Sequence, residues 1–151
     1  MCGIVAVTGF KKALPLLMNG LEKLEYRGYD SSGIAILNSD TNSITCNKAK
    51  GKLKNLINNL NNKNIPGTVG IGHTRWATHG KPEVKNAHPH IDSSGKIAVV
   101  QNGIIENFQD LKNKLEKEGI IFNSDTDTEV IPHLIKRELN TLSKLNLENN
   151  G

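Results

Sequence analysis

Apolar positions recur along the chain with periods that predict alternating strands and helices. A short apolar run containing the β-branched residues Ile4 and Val5 predicts a strand over residues 2–8. A helix is expected from about Lys12, because leucines and a methionine then repeat at intervals of three and four residues. Pro15 is compatible with this helix only in its first turn. The apolar stripe that should face the core consists of Leu14, Leu17, Met18, Leu21 and Leu24.

The middle of the chain is predicted to hold one more helix and most of the strands. Residues 26–33 are rich in turn formers and interrupted by glycine, which predicts a loop. The spacing of apolar residues from Leu53 to Leu60 predicts a helix that gives way to an asparagine-rich stretch before Pro66. Four apolar or β-branched runs predict strands, the first two joined as a hairpin: 34–37, 43–47, 69–73 and 97–101.

Two helices are predicted to close the chain. Gly119 is expected to end the first helix as a C-cap. The polar stretch 140–151 is expected to be a linker or tail after a domain at 2–139. Hairpin-linked strands covered by helices near both ends favour an α+β sandwich over a parallel βαβ fold. The stripes of the two helices are Phe108, Leu111 and Leu115, and Val130, Ile131, Leu134 and Ile135.

The composition is that of a single globular domain. The 151 residues are 36% hydrophobic and 23% charged. No run approaches the roughly 18 apolar residues that a membrane helix needs. The two cysteines, Cys2 and Cys46, are too few for a disulfide framework, which favours reduced thiols. We therefore expect a cytoplasmic protein that does not associate with a membrane.

The net charge of +4 raises the question of nucleic-acid binding. Four lysines alternate around Gly51, but aromatic residues make up only 4% of the chain and no DNA- or RNA-binding motif accompanies them. A solvated basic edge is the favoured interpretation, and no nucleic-acid partner is expected. The four lysines are Lys48, Lys50, Lys52 and Lys54.

Cys2 is a candidate nucleophile because of its position. A small residue after the initiator favours removal of Met1, which would leave a thiol and a free α-amine on one residue. Thiols are mostly protonated at neutral pH, whereas an α-amine is partly neutral and can accept the thiol proton, directly or through a water. Judged on this residue alone, a small apolar side chain at the start of a buried strand is the favoured alternative.

The segment 72–80, GHTRWATHG, lies in a polar stretch too long to lack a role. Arg75 can bind a carboxylate with two hydrogen bonds, and Trp76 can form the wall of a small pocket, which suits an amino-acid ligand. The alternative is a salt-bridged arginine beside a core tryptophan.

Four histidines fall within eighteen residues, so a zinc site in a metallohydrolase is an alternative hypothesis. Their spacing matches neither HExxH nor paired CxxC motifs, and loop or surface histidines with satisfied hydrogen bonds are commoner. The four are His73, His79, His88 and His90.

Two later segments add polar groups. Asn102-Gly103 is a strong turn signal, but an asparagine amide and the next backbone N–H can also donate to a developing oxyanion. In the acidic segment 124–129, N-capping of the last helix explains one acid, and another carboxylate is available for an ammonium group.

Six ordered segments resemble the N-terminal glutaminase domain of the glutamine:fructose-6-phosphate aminotransferases, a class II glutamine amidotransferase domain. They extend over about residues 2–139 and read CGIVAV, YRGYDSSG, GHTRWATHG, NAHPH, QNGIIEN and SDTDTEV. Amidotransferases that make asparagine or phosphoribosylamine also begin with Cys-Gly-Ile, but their other segments differ. The resemblance implies the N-terminal-nucleophile hydrolase fold, a four-layer αββα sandwich of antiparallel sheets.

The resemblance also implies roles for the candidate residues. Cys2 would be the nucleophile with its own α-amine as base, and the Asn102 side chain and Gly103 N–H would form the oxyanion hole. Arg75 would bind the carboxylate of glutamine, and Asp127 its α-ammonium group. No metal or organic cofactor is implied. The rest of the pocket wall would be formed by Trp76, Thr78 and His79.

The chain departs from this family in two respects. Gln101 stands where the family usually has histidine, for which we expect at most a modest change in rate. The C-terminal sugar-phosphate isomerase part, which binds fructose 6-phosphate and consumes the ammonia, is missing, so this chain alone is not expected to make glucosamine 6-phosphate. The expected partners are L-glutamine and either that isomerase part or a separate synthase, with homodimerisation only through the missing domains. The alternative is a non-catalytic glutamine-binding or ammonia-donor subunit.

Overall fold

A four-stranded antiparallel sheet is the main element of the fold. Its strands lie in the order β1-β4-β2-β3. They are β1 (Gly3–Val7), β2 (Ser31–Asn38), β3 (Ser43–Lys50) and β4 (Val69–Arg75). The structure, a computed structural model, describes residues 1–61, 63–77 and 80–148, without the side chains of 146–148.

Two helices cover one face of this sheet. They are α1 (Ala13–Leu24) and α2 (Leu53–Leu60). Their leucines meet the side chains of β2 that point towards the helices, because successive residues of a strand face opposite sides of the sheet. The main buried side chains of this layer are Leu17, Leu21, Ile34, Ile36, Leu53 and Leu56.

A second, two-stranded antiparallel sheet and two helices lie on the other face. The strands are β5 (His90–Ile91) and β6 (Ala98–Val99), and the helices are α3 (Phe108–Lys117) and α4 (Val130–Glu148). The two layers approach closely at Gly33, where a Cβ atom would lie only 2.2 Å from the His88 carbonyl oxygen. The order of layers is helix, sheet, sheet, helix, which confirms the predicted α+β sandwich.

Most of the predicted elements of the first half of the chain are confirmed. The first strand, α1, α2 and the hairpin are present, with β2 and β3 longer than predicted. The loop predicted over 26–33 is wrong at both ends. Glu25–Arg27 forms a 3-10 turn, and Ser31 already begins β2, where it pairs with Lys50 and Arg75. Pairing on both sides satisfies the backbone of these polar residues within the sheet.

The second half of the chain departs further from its predicted elements. Only 98–99 of the strand predicted at 97–101 is β-structure, and β5 had no local signal. Gly119 adopts φ +88°, and its N–H and that of Ile120 bond to the Glu116 and Leu115 carbonyls. This confirms that Gly119 ends the helix, although the C-cap itself is Glu118, one residue earlier. Helix α4 runs to Glu148, so the helix does not end at Asn140.

The division into a domain at 2–139 and a polar tail at 140–151 stays a prediction, and 149–151 lie outside the described residues. Within the part of the chain that the structure describes, no helix is long and apolar enough to cross a membrane.

The lysines around Gly51 are only partly a solvated edge. Lys50, Lys52 and Lys54 are exposed. Lys48 instead points between the two sheets, since it pairs with Gly33, and burial lowers its pKa.

Leu17 and Leu16 provide a matched test of the helix layer. Leu17 is fully buried beneath the sheet, whereas its neighbour Leu16 is 42% exposed. We expect Leu17→Ala to lower the free energy of unfolding by about 2–5 kcal/mol, since it leaves a cavity. Leu16→Ala should change it by no more than about 0.5 kcal/mol. Urea denaturation followed by circular dichroism measures both, and equal losses would contradict the assigned packing.

Candidate active site

The pairing of β1 with β4 brings the start of the chain to the end of β4. Gly3 is paired with Thr74 in the register of the two strands. Cys2 therefore lies opposite the end of β4, and the Trp76 backbone N–H donates to Cys2 Sγ over 3.2 Å. The thiol is thus placed beside the segment that the sequence singled out for recognition.

Alternation along β4 directs the side chains of His73 and Arg75 away from the helices. A Cβ atom on Gly72 would lie 3.0 Å from Leu21 Cδ1, so this face of the strand packs on α1. His73 and Arg75 lie on the opposite face, where both line a cavity.

This cavity has a volume of about 350 Å³ and contains most of the predicted site. Thr78 and His79, the two other predicted site residues, lie outside the described residues. The predicted residues that line the cavity are Cys2, Arg75, Trp76, Asn102, Gly103 and Asp127.

Further lining residues had no assigned role. Arg27 belongs to the YRGYDSSG segment, which carried the resemblance without a residue role. From the sequence, Gln101 is only a departure from the family's usual histidine, and His73 and His88 are candidates only for a zinc site. Met1, Ile104, Thr126 and Thr128 complete the lining.

The Asn102 amide is held at both ends. Its Oδ1 lies 2.8 Å from His73 Nε2, and its Nδ2 donates to the Cys2 carbonyl over 3.1 Å. An amide oxygen only accepts, so the His73 ring nitrogen is the donor in this pair. His73 thereby turns the NH₂ group of Asn102 towards Cys2.

Arg75 is fixed from the loops around it. Arg75 is 4% exposed, and its guanidinium donates to the carbonyls of Gly80 (3.3 Å) and Lys81 (3.4 Å). The loop before β2 holds the adjoining backbone, because the Asp30 N–H donates to the Arg75 carbonyl and Asp30 Oδ2 accepts from the Ala77 N–H over 2.9 Å. Arg75 is therefore a buried cation at a defined position in the cavity wall.

Asp127 is placed by the segment that precedes α4. Its Oδ2 accepts the Ile105 N–H over 2.7 Å. Two residues on, the buried Glu129 accepts the N–H groups of Asn123 (2.8 Å) and Ser124 (2.7 Å) and so closes the segment on itself. Burial alone would raise the pKa of Glu129, but a neighbouring histidine and these hydrogen bonds lower it to about 2.

The acids of this segment are used differently from the predicted capping. Thr126, the N-cap of the 3-10 turn Asp127–Glu129, makes no side-chain capping hydrogen bond. Asp125 instead binds Lys85 Nζ at 2.8 Å and Asn86 Nδ2 at 3.2 Å.

Three buried histidines line and underlie the cavity. The rings of His73 and His88 are stacked at 4.3 Å, and those of His88 and His90 meet at 4.7 Å. Burial lowers the pKa of His73 to about 4 and that of His90 to about 3. Burial and the two neighbouring histidines lower the pKa of His88 as well. All three rings are therefore neutral at pH 7.

The zinc hypothesis finds no support in this cluster. Among the described residues, no group of three or more histidine, cysteine, aspartate or glutamate side chains is arranged to hold a metal ion. His79, which belonged to that hypothesis, lies outside those residues.

Two solved structures define the class of protein to which this fold belongs. The chain aligns with glutamine phosphoribosylpyrophosphate amidotransferase from B. subtilis at a TM-score of 0.73 and 31% identity, over 91% of this chain and 29% of that one. A structure described as the allosteric regulatory enzyme of purine biosynthesis aligns at a TM-score of 0.77 and 31% identity, over 91% and 30%. These alignments confirm the N-terminal-nucleophile hydrolase sandwich.

The family follows from the sequence comparisons. The profile of the glutamine amidotransferase domain matches residues 45–146, and the chain belongs to this family. Glutamine--fructose-6-phosphate aminotransferase (isomerizing) of Thermosynechococcus vestitus is 60% identical over 89% of this chain and 21% of that protein. The Pyrococcus horikoshii protein of the same name is 56% identical over 92% and 23%. The chain thus spans about a fifth of the length of these curated relatives.

The neutral histidines predict that the protein loses stability on mild acidification. Their folded pKa values lie below the ordinary value of about 6.5, so the unfolded chain binds more protons as the pH falls from 6.5 towards 4. For each pH unit below 6.5 in this window, each histidine can lower the free energy of unfolding by up to about 1.4 kcal/mol. Urea denaturation at pH 7, 6 and 5 measures the slope.

The control for this prediction is His90→Gln, whose amide can keep a hydrogen bond to Thr126 Oγ1, now 2.8 Å from His90 Nε2. This substitution should reduce the change in the free energy of unfolding with pH by roughly the contribution of one histidine, whatever its effect on stability at pH 7. A stability that is constant from pH 7 to pH 5 would contradict the assignment of neutral, buried rings.

Proposed function

We propose that this chain hydrolyses L-glutamine to glutamate and ammonia through a thioester on Cys2. The observation that carries the proposal is the shared cavity of about 350 Å³, in which a thiol, an asparagine amide, a buried arginine and a carboxylate are brought together. Membership of the glutamine amidotransferase domain family supports the same substrate. The cavity is of a size that suits one amino acid.

Removal of Met1 is the first requirement of this proposal. Met1 lines the same cavity as Cys2, so its loss would leave the α-amine of Cys2 at the reaction site. That amine would take the thiol proton, and the thiolate would attack the side-chain carbonyl carbon of glutamine. Cys46 does not suit this role, because burial raises its pKa and favours the protonated thiol.

The oxyanion would be stabilised by the Asn102 side chain and the Gly103 N–H. The bond from His73 already turns the Asn102 NH₂ group towards Cys2. One preorganised donor of this kind is typically worth about a hundredfold to a thousandfold in rate. The α-ammonium group of Cys2 would return the proton to the leaving nitrogen as the tetrahedral intermediate collapses and ammonia departs. Water would then hydrolyse the γ-glutamyl thioester to glutamate and free the Cys2 thiol.

Recognition of the amino acid would use charges of opposite sign. The Arg75 guanidinium would bind the α-carboxylate and Asp127 the α-ammonium group, while Trp76, Thr78 and His79 would complete the wall. Both charged residues line the cavity and are nearly inaccessible to bulk water. Burial strengthens such contacts, because water competes less for each partner. The reaction uses neither a metal nor an organic cofactor.

The ammonia would pass to a synthase part outside the region that aligns with the relatives. The relatives named glutamine--fructose-6-phosphate aminotransferase are about five times longer than the aligned region. We therefore propose that fructose 6-phosphate is the final acceptor, bound by a C-terminal isomerase part or by a separate partner. We also place the activity in the cytoplasm, where the free thiols of Cys2 and Cys46 would stay reduced.

The nucleophile is tested by a matched pair of cysteine variants. Cys2→Ala should abolish glutamate release from L-glutamine, because it removes the nucleophile, whereas Cys46→Ala should retain the wild-type rate. Intact mass spectrometry must show that Met1 is absent from each protein. Release that survives in Cys2→Ala would disprove the mechanism. A correctly processed wild type that binds glutamine without hydrolysing it would favour the non-catalytic subunit.

The ammonium contact is tested by Asp127→Asn with Asp125→Asn as its control. The amide at position 127 can still accept the Ile105 N–H but has no charge for the ligand. Loss of one charged hydrogen bond should weaken glutamine binding by about tenfold to a hundredfold. Asp125 binds Lys85 at the surface, and its variant should bind glutamine normally. Titration calorimetry in the Cys2→Ala background measures both, and equal affinities would refute the assigned contact.

A further inference from the structure

Hydrogen bonds attach both ends of one loop to the segment that carries Asp127. We call residues 101–105 the oxyanion loop. At its start, Thr128 Oγ1 donates to Gln101 Oε1 over 2.8 Å. At its end, the Ile105 N–H donates to Asp127 Oδ2 over 2.7 Å. The loop that presents Asn102 is thereby tied to the carboxylate on the other side of the cavity.

The Gln101 side chain lies between Gly103 and Thr128. A Cβ atom on Gly103 would be 2.9 Å from Gln101 Nε2, so the glutamine amide covers the backbone of that glycine. The Gln101 backbone N–H is directed to His88 Nδ1 at 3.4 Å. Thr128 is 1% exposed, so water competes little for its hydroxyl.

The Thr128 hydroxyl has a single proton and two acceptors nearby. Gln101 Oε1 is 2.8 Å away, whereas Asp127 Oδ1 is 3.3 Å away. The shorter contact is the stronger hydrogen bond. Gln101 Oε1 is therefore the main acceptor of the Thr128 hydroxyl proton.

We infer that Gln101 and Thr128 are positioning residues for glutamine hydrolysis, an inference that rests on the proposed function. Their hydrogen bond sets the distance between the donors of Asn102 and Gly103 and the carboxylate of Asp127. This gives Gln101 a larger role than the modest one expected from its sequence position. The side chain that departs from the family's usual histidine is the one that holds the oxyanion loop.

Loss of this bond should act on kcat rather than on KM. The negative charge on the oxyanion develops only as the reaction proceeds, so displaced donors destabilise the transition state more than the bound substrate. The Ile105 bond to Asp127 is retained in such variants and keeps the carboxylate in place. A variant that was only less stable would not show a lower kcat with an unchanged KM in its folded fraction.

The test compares Thr128→Val with Thr128→Ser. Valine keeps the shape but removes the donor, whereas serine keeps the hydroxyl. We expect Thr128→Val to lower kcat for glutamate release by about tenfold with KM within about twofold of wild type, and Thr128→Ser to restore kcat. Gln101→Ala should match Thr128→Val, and the double variant Gln101→Ala/Thr128→Val should be no slower than either, because all three lack the same bond. The inference would be overturned if the double variant lost kcat by the product of the two single losses, or if Thr128→Val kept the wild-type kcat.

A second measurement does not depend on turnover. Amide hydrogen exchange at residue 101, whose N–H is directed to His88 Nδ1 in wild type, should be about tenfold faster in Thr128→Val and Gln101→Ala than in wild type or Thr128→Ser. Unchanged exchange would overturn the attachment of the loop even in a protein without activity. Absence of Cys2-dependent glutamate release from wild type would reject the proposed function instead. Thermal melts confirm that each variant is folded, and Gln101→Ala decides the question if Thr128→Val is not.

Discussion

The antiparallel pairing of β1 with β4 is the interaction on which the rest of the site depends. It brings the N-terminal thiol next to Trp76 and, through alternation along β4, points His73 and Arg75 into the cavity. A shift of the register by one residue would turn these side chains towards α1 and put Gly72 on the cavity side. The glycines of β4 that face α1 favour the observed register, because the Leu17 and Leu21 side chains occupy the space where larger residues would project.

A polar layer between the two sheets distinguishes this sandwich from one filled by apolar residues alone. The stacked histidines are neutral because burial disfavours their charged forms. Glu129 keeps its charge because His133 and the backbone N–H groups of its own segment stabilise the carboxylate. The two kinds of buried group have different roles. The neutral His73 orients the Asn102 amide, whereas the charged Glu129 holds the segment that carries Asp127 through hydrogen bonds.

Much of the fold could be predicted because periodicity reports local burial. The stripe from Leu14 to Leu24 predicted α1, and the left-handed glycine after α3 was expected from Gly119 itself. The start of β2 and the whole of β5 could not be predicted in this way. Ser31 and His90 are polar residues that belong to strands only because partner strands satisfy their backbone groups, β4 through Arg75 for Ser31 and β6 through Val99 for His90.

The sequence by itself determined the kinds of chemical group in the site and the family to which their ordered segments point. Cys2, Arg75, Asn102, Gly103 and Asp127 were all identified before their distances were known. Only the tertiary structure decided that these five line one cavity, that His73 turns the Asn102 amide, and that Gln101 ties the oxyanion loop to Thr128. The physical reason is that side-chain chemistry is a property of each residue, whereas a hydrogen bond between residues 27 positions apart exists only after the layers have packed.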